Sequence, residues 1–341
     1  MAFHQRIQSL LLIGVRLPAS SPSAPVAPPA ALAGLVAAVA PEHGASNARA
    51  IEAGNLYRSA FWALYLLSAL AVLCAVMPLA LGWDDDHSTM HSWAPFWAVL
   101  EVLVITVLGL LYWRGHHHDW QGRWLASRTE AELAWYLPLV APLVVPAHDG
   151  AKRGWYARLA GNSYHAPESA TVDALCARLE PGATAALSDA WDDPEFVDHY
   201  LAWTLARMDA QRKYHERLAA RSEALMHRVH KLNACLFILT FVGALAHLVI
   251  HSMWLSFVTI FFPALGASLH GALAQTESYR RAATSRRLSG DLGKELAMLR
   301  AAHEVRDNAK VRDAIETVLM LILDEHRDWH MLVRPHHLPL G

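Results

Sequence analysis

Cysteine is scarce in this chain, with only Cys74, Cys176 and Cys235, far apart in sequence. That spacing excludes a disulfide framework and matches no zinc site, so the three read as small apolar fillers. Charge of one sign is lacking too: the formal net charge is −2, and Lys and Arg form no single basic block. Nucleic acid is therefore not expected as a partner. No HExxH, GxSxG, Gly-rich phosphate loop or paired catalytic carboxylates occur, which argues against an enzyme and leaves no cofactor to expect. The apolar run at Leu10–Val15 is shorter than the 7 to about 15 residues of a secretory signal. Most telling, not one Asp, Glu, Lys or Arg stands between Leu232 and Ala274.

Such a run is long enough for two crossings of about 20 residues each, joined by a tight turn. Spans are expected at about 232–252 and 255–274, and an earlier pair at about 61–83 and 93–113. Trp62, Tyr65 and Trp83 flank the first span and Trp93 and Trp113 the second, as interfacial belts do. The fold class is thus all-α, an integral membrane protein with four transmembrane helices in two hairpins and long cytoplasmic helical extensions. Arg49, Arg58, Arg114, Arg123, Arg128, Arg228, Lys231, Arg280, Arg281, Arg286 and Arg287 lie outside the pairs, and the connections DDDHSTMHS and HSMW carry no basic residue. The positive-inside rule then puts both termini in the cytoplasm of a cell whose inner membrane holds the spans.

Residues 1–45, rich in Ala, Pro and Ser, are expected to be a disordered leader, in which a short helix over Ala31–Ala40 would be marginal alone, with ordered structure beginning near Asn47. The first hairpin and its cytoplasmic helix take up 46–137, and Pro138, Pro142 and Pro146 should break that helix. A connector spans 138–192, with a small helix near Thr171–Leu179. Residues 193–275 should hold a stalk helix continuous with span three, then the second hairpin, and 276–341 form C-terminal cytoplasmic helices. Small residues of span four invite close approach of a neighbouring helix: Pro263, Ala264, Gly266, Ala267, Ser268 and Gly271 are the packing candidates.

Glu101 stands near the middle of span two. A carboxylate there costs a few kcal/mol, so it is expected to face the bundle, either in a polar path or bonded to a neighbouring helix for assembly. His247 and His251, four apart, could line an outer vestibule, and His270 reaches the inner end of span four. His326 and His330 have a spacing that can bind zinc, but no third ligand is specified, and no metal is expected.

RWLASRTEAELAW at 123–135, FFPALGASLHGALAQTESYRRAATSRRL at 261–288 and DEHRDWHMLVRPHHLPL at 324–340 resemble bacterial SLATT-type proteins. Those sequences are similar to the C-terminal four-span region of proteins carrying a nucleotide-sensing Rossmann-like SLOG domain. The resemblance implies a homo-oligomeric inner-membrane effector that perturbs or permeabilises the bilayer in defence or stress signalling. It also implies a sensor, and 45 leading residues are too few for a Rossmann domain, so either a separate cytoplasmic sensor protein or a shortened version of the architecture is expected. The alternative is a non-conducting scaffold that anchors a cytoplasmic signalling partner.

Overall fold

A computed structural model describes residues 1–18, 25–83, 93–144, 187, 190–276, 278–304 and 307–333, the side chains of 144 and 326–333 apart. Helices carry them: α1 (Phe3–Leu11), α2 (Ala30–Leu81), α3 (Ala94–His117), α4 (Trp120–Val144), α5 (Pro194–His247), α6 (Met253–Gln275), α7 (Ser278–Glu304) and α8 (Asn308–Val333), with a 3₁₀ turn at Ala190–Asp192. No strand occurs among the described residues. Four helices, α2, α3, α5 and α6, are long and apolar enough to cross a membrane. By length and composition, the described helices are those of a membrane protein.

The helix ends follow local chemistry. After α2, Gly82 takes φ +67°, which costs glycine no steric strain. It lets Trp83 N–H donate to the Pro78 carbonyl (3.0 Å) and Gly82 N–H to that of Leu79 (3.1 Å), serving carbonyls that the last turn would leave open. At the start of α5, Asp193 Oδ1 accepts from Glu195 N–H (3.0 Å) and Pro194 stands where no amide is needed. From there α5 runs unbroken for 54 residues, as the stalk reading expects. The connection to α6 is closed by Ile250 N–H on the Ala246 carbonyl (2.8 Å).

The chain divides into two compact units. One comprises residues 1–17, 54–120 and 220–282. Its core is Trp62, Leu225, Val229, Leu269, Ala272 and Leu273, with Ile7 and Leu11 of α1 and the next residue, Leu12, packed on it. The other comprises 18–53, 121–219 and 283–341. Its larger core joins Leu32 and Val39 of α2 to α4, the start of α5, α7 and α8, with Tyr200, Met208, Leu296 and Ile315 fully or almost fully buried.

Three expectations are corrected. The leader, where described, is helical on both sides of Pro25–Pro29. Leu32, Leu35, Val36 and Val39 recur at threes and fours and pack in the second core, so α2 begins at Ala30 rather than near Asn47. α4 does not break at Pro138 or Pro142. Each proline costs about 3 kcal/mol in a helix interior, but burial returns about 1.5–3 kcal/mol for each of Leu137, Leu139 and Leu143. Side-chain donors also meet the backbone there. Arg207 donates to the Trp135 carbonyl (3.0 Å), Tyr200 O–H to that of Leu139, Trp191 Nε1–H to that of Pro142 (2.8 Å) and Arg312 to that of Leu143 (2.9 Å). Third, Pro263 and Ala267 are exposed on α6 rather than packed, because 100° per residue carries them off the face that buries Ser268 and Ala272. The small helix expected near Thr171–Leu179, the DDDHSTMHS connection, Cys176 and Pro146 lie outside the described residues.

The donor from Tyr200 sits fully buried, so Tyr200→Phe should leave the Leu139 carbonyl short of a bond and lower stability by about 1–3 kcal/mol. Denaturant unfolding of the detergent-solubilised protein, followed by helical circular dichroism, reads this. A midpoint unchanged from wild type would mean that this hydrogen bond contributes nothing to holding α4 through its prolines.

Candidate functional site

In the first unit the polar side chains stand out because apolar ones surround them. Val104 is the buried residue of α3. It shares a stripe with Trp97, Glu101, Leu108 and Leu111, all half-buried at spacings of three and four, while Val99, Val102, Leu103 and Leu110 are exposed. Glu101 therefore lies on that stripe and acts electrostatically on Cys74 of α2. Among the described residues its carboxylate has no hydrogen-bond or ion-pair partner.

The other candidates do not gather around it. His247 ends α5 and His251 lies in the turn beyond, outside the helix that would have put both on one face. Their rings still come to 6.3 Å between centroids, both exposed. His270 is exposed on α6, its ring 6.2 Å from that of Tyr279. His326 and His330 are a turn apart in α8, with side chains outside the described residues.

Close approach on α6 centres on its glycines. A Cβ at Gly271 would stand 2.3 Å from the Tyr65 ring, so the absence of one is what lets α2 lie there. Gly266 faces Asn233 of α5, where a Cβ would be 3.4 Å from Oδ1. Ser268 is buried and Ala264 half-buried beside them. Asn233 Oδ1 is itself buried without a partner among the described residues. Sequence reasoning passed over it, although it is the lone Asn within the Leu232–Ala274 run.

The second unit holds a charged cluster that sequence reasoning did not assemble. Arg128 pairs with Glu132 one turn on, and Tyr136 follows on the same stripe. His215 of α5 lies 3.3 Å from Ser285 Oγ of α7 through Nδ1. Arg207 lays its guanidinium over Trp135 (3.9 Å to the centroid) and near Trp203 (4.8 Å). Burial lowers Arg207 to about 10 and pushes Tyr136 well above the usual phenol range. His215 is brought down to about 4, first by burial and then by Arg128, with Glu132 opposing. The cluster ties α4, α5 and α7 together.

The sign of the His215 effect follows from linkage. Its folded value of about 4 lies below the ordinary 6.5, so between those values the unfolded chain binds the extra proton and stability falls as pH drops. Wild type should lose on the order of 2 kcal/mol relative to His215→Asn between about pH 7 and about pH 4.5. Parallel melting-temperature differences across that range would disprove the burial of a neutral imidazole. No known protein family, curated protein or solved structure matches this chain.

Proposed function

We propose that this protein is a pore-forming or ion-conducting effector of a bacterial inner membrane, with Glu101 in the polar path. The observation that carries the reading is the Glu101 carboxylate, which has no partner among the described residues and lies on the half-buried stripe of α3. Placed in hydrocarbon with no donor, that group costs several kcal/mol, whereas water or a passing cation in a path satisfies it. The spans then form two hairpins, with the basic residues beside them held in the cytoplasm. The second unit becomes a cytoplasmic module, open to command by a separate sensor protein as the SLATT resemblance implies. Copies of the chain would line the path together, their Glu101 carboxylates forming a ring, the usual means of cation selection. His247 and His251 fit the outer mouth.

A second reading is favoured by a different observation. The module has its own core, drawn from α2, α4, α5, α7 and α8, and needs no conduction to present a surface. In that case the spans only anchor a scaffold, and Glu101 bonds between copies for assembly.

Ion flux through the purified protein in liposomes separates them, wild type beside Glu101→Gln, from about pH 5 to about pH 8. The conducting reading expects wild-type flux that the substitution reduces by roughly tenfold, equal to about 1.4 kcal/mol on the barrier. Absence of flux in wild type, together with oligomers that Glu101→Ala dissolves, would overturn it in favour of the scaffold.

A further inference from the structure

The segment expected to be a loose leader carries a face that nothing among the described residues covers. On its inner side α1 is fully engaged. His4 lies against Ser59 through its backbone N–H (3.4 Å to Oγ) and its ring Nδ1 (3.1 Å). Gln5 donates to Asn55 Oδ1 (3.5 Å), Arg221 donates to Gln8 Oε1 (3.3 Å) and Arg228 donates to the Ile13 carbonyl (3.3 Å). Ile7, Leu11 and Leu12 pack on the core that Trp62, Leu225 and Leu269 build. The outer side is apolar as well: Phe3 is 44% exposed, Leu10 63% and Ile13 69%.

Direction says what lies opposite that side. Between Gln8 and Ile13 the partner on α5 moves from Arg221 to Arg228, toward the apolar run that begins at Leu232. The core under α1 includes Trp62 and Leu66 of span one and Leu265 and Leu269 of span four. The exposed apolar residues of α1 are thus continuous with the ends of the spans. Charge points the same way. Residues 1–41 contain no Asp or Glu, Arg6 and Arg16 are exposed, and Arg58, Arg221 and Arg281 are close enough to act on His4. Burial, with the charges of those three, brings the His4 imidazole down to about 4, so α1 docks with it neutral in a positive field.

We propose that α1 and the turn after it are an interfacial anchor. Phe3, Leu10, Ile13 and Leu17 bed at the headgroup–acyl boundary of the membrane that the spans cross, and the surrounding arginines attract anionic lipid headgroups. The occupant of the outer face is the lipid surface itself. This holds whether or not the spans conduct, since it concerns residues outside them.

The test uses the full chain in nanodiscs, with Cys74, Cys176 and Cys235 replaced by Ala and a nitroxide spin label at Leu10→Cys or Ile13→Cys. Both positions are exposed, so the label needs no repacking, and Phe3→Cys serves if either variant is poorly folded by circular dichroism. Collision with oxygen reports lipid, and collision with a water-soluble nickel chelate reports solvent. The expected oxygen-to-nickel ratio is several-fold above that of a label at the exposed Asp313 and close to that at Leu103. It should rise when phosphatidylglycerol is added to zwitterionic lipid, and Arg6→Gln with Arg16→Gln should diminish the rise. A nickel-dominated signal in both lipids would overturn the proposal, as would spin–spin broadening between labels at position 13, which would mean that a second copy covers the face.

Discussion

A proline inside a buried helix removes an amide from a place where water cannot replace it, and the second unit is built around two such removals in α4. Pro138 and Pro142 leave the carbonyls of Ala134 and Pro138 without their usual donors, and Pro142 and Leu143 stand in the last turn of the helix. Around this weak stretch the chain brings a tyrosine, a tryptophan and two arginines, each donating to a carbonyl between Trp135 and Leu143. These donors arrive from α5, the 3₁₀ turn and α8. The fold of this unit can therefore be seen as the set of positions from which α4 is reachable. Asn308 extends the arrangement by donating to the Trp191 carbonyl (3.2 Å), tying the first turn of α8 to the same tryptophan.

The spans were legible in the sequence because lipid imposes a rule of composition that needs no tertiary knowledge. The unbroken α5 was legible for a local reason, an Asp-Pro start followed by apolar residues at threes and fours. α4 was not, because proline is a break only on average, and the side chains that bond and pack this helix come from as far away as Arg312, 169 residues from its partner. The leader was misjudged since Ala and Pro dominate a count while four residues, Leu32 to Val39, decide the packing. At the candidate site, Glu101 drew notice through the cost of turning a carboxylate to lipid. The meeting of His215 with Ser285, 70 residues apart, had no trace in periodicity.

Treatment of charge differs between the units. In the second, Arg128 has Glu132, and Arg207 has an indole face and a carbonyl. In the first, Glu101 has neither kind of compensation among the described residues. A lone carboxylate on an otherwise apolar stripe contributes nothing to the stability of a single chain. Its presence makes sense as a demand placed on whatever enters the bundle, be it water, a cation or another copy.

The meeting of Gly271 with Tyr65 has a consequence for how this sequence can drift. The phenol ring occupies the volume that any larger residue at 271 would need, so the two positions share one fixed allotment of space. A methyl gained on α6 is accommodated only if α2 gives up its ring or swings it aside. Positions 65 and 271 should therefore vary as a linked pair, large opposite small, in any lineage that keeps these two helices in contact.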